Sequence, residues 1–233
     1  MSDLLVKDRT IVVPGEILAE GMDYIPSYGV FREQNRIVAM QLGLVSINGR
    51  VIKLIPLSGR YIPKKADVVI GKVADIGFYG WRVDIGWAFQ ANLGLKDASS
   101  EFIEKGADLS QYYDYGDIIA AQITNVSGSK IIDLSMKGPG LKKLKGGKII
   151  EVSPSKVPRI IGKQGSMVNL IKEKTNCKII VGQNGKIWIS GLNPETELLA
   201  TNSIYKIEQE SHLDGLTDRI KEFLDKGVKN GLQ

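Results

Sequence analysis

From residue 10 to residue 62 the apolar positions fall in short runs rich in β-branched side chains, "TIVVPGEIL", "RIVAMQLGLVSING" and "RVIKLIPLSGRYI". Turn-forming pairs divide them, and Asn48-Gly49 between two such runs predicts a tight hairpin. Residues 1–63 therefore read as a small all-β unit, with Pro14 and Pro56 near strand edges. A sheet unit of about 60 residues buries little surface by itself, so this one is expected to pack on its neighbour or on a partner.

Residues 66–136 repeat the strand signal in "DVVIGKVADIG", "WRVDIG", "AFQANL", "DIIAAQITNVS" and "KIIDLSM". Five short strands with a longer interruption before the fourth suit a small Greek-key barrel of the OB-fold kind. The stretch "KGPGLKKLKGG" (137–147) then combines Gly, Pro and Lys into a linker that no sheet interior accommodates.

From residue 148 to 210 the period changes. "GKIIEVSPSKVPRIIGKQGSMVNLIKEKTNCKIIVGQNGKIWISG" reads strand, helix, glycine loop, helix, strand, hairpin, strand. Pro158 fits a first helical turn whose buried side is Ile160 and Ile161, and Gly162 ends it. A second helix restarts after Gly165 with Met167, Leu170 and Ile171 on its inner face, and Asn176 suits a left-handed stop. The chain turns again at Asn184-Gly185, and a last helix opens at Asn193-Pro194 with Ala200, Ile204 and Ile207 inward. Residues 211–233 end in an amphipathic helix, "LTDRIKEFLDKGVKN", which either closes the preceding sheet or meets a neighbouring chain.

Charge changes the picture in one place. The net +5 of the 233 residues is uneven: residues 137–190 carry 12 Lys or Arg against 2 acids, residues 1–136 carry 14 against 16, and residues 191–233 carry 5 against 8. One strongly basic module between mildly acidic ones is the footprint expected for a phosphate-rich partner. The single Cys177 excludes a disulfide framework and a four-thiolate zinc ribbon. No apolar run approaches the length of a membrane span, so no membrane partner and a cytoplasmic location are expected. His212 is the only histidine, with no nucleophile beside it in sequence, and Asp75, Asp84, Asp114 and Asp117 are spread over strands and loops. No catalytic residue, metal site or cofactor is expected, and binding is expected in place of turnover.

Two modules resemble known RNA-binding domains. "GKVADIGFYGWRVDIG" followed by "YGDIIAAQITNVSGSKIIDLSMK" resembles the S1-type OB-fold, which holds single-stranded RNA by aromatic stacking and basic contacts. Tyr79 matches the first aromatic of that family's Phe-Gly-x-Phe pattern, but Arg82 stands at the second, and its third-strand histidine is missing near Asn92. Phe78, Trp81 and Trp87 either replace the lost stacking or belong to the barrel core, and Arg82 is a candidate for stacking on a base or pairing with phosphate.

The β-α-α-β-β-α order around Gly162-Lys163-Gln164-Gly165 resembles the KH domain, whose Gly-x-x-Gly loop clamps the backbone of single-stranded nucleic acid. Two bare positions let a sugar-phosphate chain approach closely, and the amides opening the second helix favour an anion. Lys163 adds a cation and Gln164 a neutral donor, with Lys156 and Arg159 as further phosphate contacts. Replacing both glycines with Asp is expected to block RNA while the fold persists.

The order of an N-terminal β domain, an S1 barrel and a KH domain resembles the KH-containing cap subunits of the archaeal RNA exosome over nearly the whole chain. That resemblance implies a mainly β, multidomain protein with an α+β C-terminal part. It further implies a non-catalytic subunit, three copies of which dock through residues 1–63 on a ring of RNase PH-like subunits and lead single-stranded RNA 3′ ends to it. Two alternatives stand beside it: a free-standing regulatory or translation-associated RNA-binding protein, and an enzyme of the polynucleotide phosphorylase kind, which carries KH and S1 in the reverse order behind a catalytic core missing here.

Overall fold

The computed structural model describes residues 3–104, 106–211, 213 and 215–230, the last three by backbone alone. The chain divides into two units, Met1–Gly59 and Arg60–Gln233.

The first unit is built of eight short strands: β1 (Asp3–Leu4), β2 (Ile11–Val12), β3 (Ile17–Glu20), β4 (Ile25–Pro26), β5 (Val30–Glu33), β6 (Arg36–Ala39), β7 (Gly43–Asn48) and β8 (Val51–Pro56). They form two four-stranded sheets, ordered β1-β3-β6-β5 and β2-β7-β8-β4. Val12, Leu18, Ala19, Val30, Ile37, Ala39, Val45, Ile52 and Leu54 fill the core. The β7–β8 hairpin lies one residue beyond the predicted pair. Asn48 pairs with Val51, so Gly49 and Arg50 are the two turn residues, and Gly49 supplies the positive φ of 60° that this tight connection needs.

The second unit opens with a barrel: β9 (Val68–Gly77), β10 (Gly80–Asp84), β11 (Ala91–Gly94), the short helix α1 (Leu95–Ala98), β12 (Ile118–Val126) and β13 (Ile132–Ser135). Its strands run β13-β11-β10-β9-β12 and close through β12 to β13. Alternate residues point inward, giving a core that includes Val69, Val73, Trp81, Val83, Leu93, Ile119, Ile123 and Leu134. The predicted linker is not wholly irregular. Lys142–Leu144 form β14, which pairs with Ile118, Ile119 and Ala120 of β12 at the edge of the sheet, where glycines and lysines are tolerated.

The remainder is β15 (Lys148–Glu151), α2 (Val157–Ile161), α3 (Ser166–Thr175), β16 (Lys178–Val181), β17 (Lys186–Ser190), α4 (Pro194–Glu210) and α5 (Leu216–Asn230). The antiparallel sheet β15-β17-β16 turns Ile150, Ile179, Ile187 and Ile189 toward the helices. Asn176 ends α3 in the left-handed region, and Ala200, Ile204 and Ile207 are fully buried. Helix α5 lies against α3 and α4, buries Leu216, Ile220 and Leu224 in the same core, and is pinned by Lys174–Asp225 and Arg219–Glu210 ion pairs. It therefore covers the helices and leaves the sheet to another partner.

That partner is the barrel. Ile180 and Trp188, on the opposite face of the sheet, pack with Ile70, Ile118, Ala120 and Leu144. The Trp188 indole donates to the Gly146 carbonyl at 2.8 Å, and the Lys142 ammonium lies 5.7 Å from its ring centre. The turn at 182–185 completes the seam. The Gln183 amide donates to the Val68 carbonyl at 2.7 Å. Asn184, only 9% exposed, accepts from the Ile70 amide at 3.2 Å and donates to the carbonyls of Ile70 and Ile85, each at 2.8 Å. Barrel, sheet and helices thus form three consecutive layers.

Candidate nucleic-acid interface

The glycine loop follows from how the two helices end and begin. Helix α2 closes with the Gly162 amide donating to the Pro158 carbonyl at 3.0 Å, and Gly162 then takes φ 76°, ψ 177°, a conformation that side-chain-bearing residues rarely adopt. Gln164 (φ 50°, ψ 30°) and Gly165 (φ 81°, ψ 7°) are both left-handed, and the Gly165 amide returns to the Gly162 carbonyl at 3.3 Å. Helix α3 then starts at Ser166 with no side-chain cap and no acid in its first turn, so its leading amides and the positive end of its dipole meet no competing carboxylate there.

The two glycines do different work. A Cβ on Gly162 would sit 2.7 Å from the Met167 amide nitrogen and 2.8 Å from the Met167 Cβ, whereas one on Gly165 would meet nothing nearer than the Asn169 side chain at 3.6 Å. Gly162 is therefore required by the packing of α2 on α3. The expectation that both glycines accept Asp with the fold intact is corrected for Gly162.

Lys163, Gln164 and Arg159 are exposed, and Lys156 is half-buried one turn upstream. Among the described residues none of these three cations has a carboxylate within 4 Å. Other lysines of the basic segment are engaged. Lys143 pairs with Asp117, whose burial pushes its carboxyl up but whose hydrogen bond and charge contact with Lys143 outweigh that and hold it below the usual carboxylate range.

On the barrel, Phe78 and Tyr79 form the turn between β9 and β10 and are 89% and 78% exposed. Trp81 is not at the surface. It is 2% exposed, its indole donates to the Tyr113 carbonyl at 2.8 Å, and its ring meets Tyr113 edge-on at 5.2 Å. The sequence carries the signal, since Trp81 shares strand parity with Val83 and Ile85 and opposite parity to Arg82. Trp81 therefore leaves the set of stacking candidates. Trp87 is partly buried against the core and meets the exposed Phe89 edge-on at 5.4 Å.

Arg82 faces outward in a cross-strand row. Asp75 stands opposite it on β9 and Asn92 on β11, and Asn92 in turn pairs with Asp133, to which the Asn125 amide donates at 3.2 Å. At the two later positions of the S1 pattern this barrel presents the hydrogen-bonding groups of Arg82 and Asn92, with Asp75 and Asp133 in the same cross-strand row. Exposed aromatic side chains stand at the Phe78 and Tyr79 turn and, elsewhere in this part of the chain, at Phe89, Phe102 and Tyr115.

The four aspartates singled out in the sequence, which is expected to hold no metal, each accept a local hydrogen bond. Asp75 accepts from the Ile76 amide, Asp84 from Gly86, Asp114 from Tyr115, and Asp117 from Asp114 and Lys143. Among the described residues no group of three or more His, Cys, Asp or Glu gathers to hold a cation, and His212 lies outside them. No helix among the described residues is long and apolar enough to cross a membrane.

A strand barrel with an exposed aromatic turn, joined to a β-α-α-β-β-α unit with an open Gly-x-x-Gly loop, defines the S1–KH class of RNA-binding proteins. Family profiles divide the chain in the same way: the exosome RNA binding protein RRP4 N-terminal domain matches residues 9–58, the RRP4 S1 domain residues 60–125, and the KH domain residues 147–195. The exosome complex component Rrp4 of Thermococcus kodakarensis is 49% identical over 96% of this chain and 88% of its own length. That of Methanothermobacter thermautotrophicus is 44% identical over 99% of this chain and 73% of its own. A solved structure assigned as an exosome complex RNA-binding protein superposes with a TM-score of 0.66 at 34% identity, covering 74% of this chain and 99% of that one. The chain belongs to the Rrp4 family of exosome components.

Proposed function

We propose that this chain is the RNA-binding, non-catalytic cap subunit of an exosome in the cytoplasm, where it docks on an RNase PH-like ring and leads single-stranded RNA 3′ ends into it. The observation that carries the reading is the open loop at 162–165, with Lys163 and Gln164 in solvent before an uncapped helix, in a chain whose relatives are named exosome complex components. Arg159 and Lys156 extend the cationic surface, and Phe78, Tyr79 and Arg82 supply contacts on the barrel. Affinity from such a surface is salt-dependent and tolerant of sequence, and it raises the local RNA concentration at an active site on another chain.

The first unit supports docking. Ile11, Leu44 and Ile55 stand directly across from one another on β2, β7 and β8, facing away from the core, and Ile11 and Ile55 are largely exposed beside Val13. An uncovered apolar row on a small sheet fits a protein partner better than RNA.

Co-elution with RNase PH-like ring subunits on size-exclusion chromatography, at three copies per ring, and RNA-dependent stimulation of ring activity are the expected outcomes. The purified chain alone is expected to bind labelled RNA without shortening it in phosphate. Failure to co-elute would sink the cap role and leave a free-standing RNA-binding protein.

A further inference from the structure

Beside the turn that enters β12, the outer face of the barrel holds a cleft of about 500 Å³ lined by Lys72, Val73, Ala74, Asp84, Tyr115 and Gly116. It adjoins the Arg82 row, reaching Asp75 through the Tyr115 hydroxyl, and none of its lining residues belongs to the Phe78 and Tyr79 turn. Its origin is a β-bulge: the β9–β10 pairing passes from Arg82 opposite Asp75 to Val83 opposite Val73, leaving Ala74 over. Bulges of this kind bend a strand and re-aim the side chains on either side.

Three groups converge on the opening. Tyr115 is 62% exposed, and its hydroxyl donates to Asp75 at 3.2 Å, which favours one position of the ring. Lys72 runs past Gly116, its Cε 3.7 Å from where a Cβ on that glycine would lie, and among the described residues no carboxylate comes within 4 Å of its ammonium. Asp84 stands across from Lys72 in register and uses one oxygen on the Gly86 amide at 2.8 Å.

We propose that this cleft is a ribonucleotide subsite: a base stacks on Tyr115, its phosphate pairs with Lys72, and a ribose hydroxyl donates to Asp84. The proposal rests on the RNA-binding reading above and assigns it a contact outside the loop and the aromatic turn. An anchored ring offers a stacking face to any base. A lone cation serves one phosphate, and the neighbouring carboxylate disfavours a free anion while accepting from a hydroxyl, the group that distinguishes RNA from DNA.

Fluorescence anisotropy of the full chain with a 12-nucleotide oligoadenylate and its all-deoxy counterpart tests this. Tyr115→Ala is expected to weaken RNA binding about fivefold or more, and Tyr115→Phe, which keeps the ring, by less than about twofold. Lys72→Gln is expected to lower the slope of log affinity against log salt by about one. Asp84→Ala is expected to narrow the preference for RNA over DNA. Unshifted thermal melting establishes that these exposed positions leave the fold intact, and should Tyr115→Ala melt early, Lys72→Gln and Asp84→Ala carry the decision. If Lys163→Asp with Gln164→Asp weakens binding while Tyr115→Ala and Lys72→Gln behave as wild type, the subsite is overturned and the RNA-binding reading stands. If the unmodified chain binds no oligoadenylate, the RNA-binding reading itself fails and the subsite with it.

Discussion

The chain spells Gly-x-x-Gly twice in its C-terminal part, as Gly162-Lys163-Gln164-Gly165 and as Gly182-Gln183-Asn184-Gly185, and the two copies have opposite fates. The first joins two helices and leaves its central residues in solvent. The second joins two strands and buries Asn184 against the barrel, with a Cβ on Gly182 falling 2.9 Å from the Lys186 carbonyl oxygen and 3.0 Å from the Ile70 nitrogen. In both, missing side chains leave room for another backbone, the barrel's at Gly182 and, in the proposed function, a nucleic acid's at 162–165. The flanking elements decide whose backbone it is. A helix start presents unpaired amides and a positive dipole, which suit a phosphate chain. A hairpin end presents ladder-type donors and acceptors, which suit a neighbouring strand.

The largest expected effect separates the two glycines of the first copy. Gly162→Ala forces a Cβ into the Met167 backbone at a φ and ψ that only glycine adopts easily, and should cost about 2–4 kcal/mol of unfolding free energy. Gly165→Ala, left-handed but unobstructed, should cost only about 1 kcal/mol. Urea denaturation of the two variants measures the gap. Equal midpoints would show that the α2–α3 contact does not require a bare residue at 162.

Next comes the second copy. Asn184→Ala leaves the Ile70 amide and the Ile70 and Ile85 carbonyls without their side-chain partners, and about 1 kcal/mol for each gives a loss of about 2–3 kcal/mol. Asn184→Asp should be worse, because it keeps the acceptor for the Ile70 amide but turns a carboxylate oxygen toward two carbonyl oxygens. Hydrogen exchange at the Ile70 amide is the local readout, and it should accelerate in both variants. An exchange rate unchanged from wild type would mean that the seam is held by Trp188 and its apolar neighbours alone.

The contrast explains what the sequence could and could not reveal. The helices, their stops at Gly162 and Asn176, and the inward stripe of Ala200, Ile204 and Ile207 were legible because spacing and breaker residues act within a few positions of themselves. The hairpin at Asn184 was legible as a turn but not as a clasp, since the same turn chemistry serves whether or not a second domain lies beneath it. Trp81 was resolvable by parity, as its place between Gly80 and Arg82 puts it with Val83 on the barrel interior. Strand β14 was hidden in a lysine-rich stretch because its pairing comes from β12 and not from any propensity of its own. The Tyr115 cleft was hidden for a similar reason, as the bulge at Ala74 exists only in the register between two strands.

The smallest effect on stability is also the most discriminating for function, because one pair of charges can be written into both copies. Lys163→Asp with Gln164→Asp keeps both glycines, and the left-handed Gln164 position accepts Asp at least as well. Melting should be unchanged, while replacing a cation with two anions at the mouth of α3 should lower RNA affinity about tenfold or more at low salt, with a shallower salt dependence. Gln183→Asp with Asn184→Asp should do the reverse: the seam weakens, and the RNA affinity of the fraction that stays folded changes by less than about twofold, since Asn184 is buried against Ile70 and the Gln183 backbone amide is bonded to Val68. The two double variants cross over only if each copy does the single job its neighbours assign to it. A loss of RNA affinity from both, at temperatures where both are folded, would mean that the turn at 182–185 also reaches the nucleic acid.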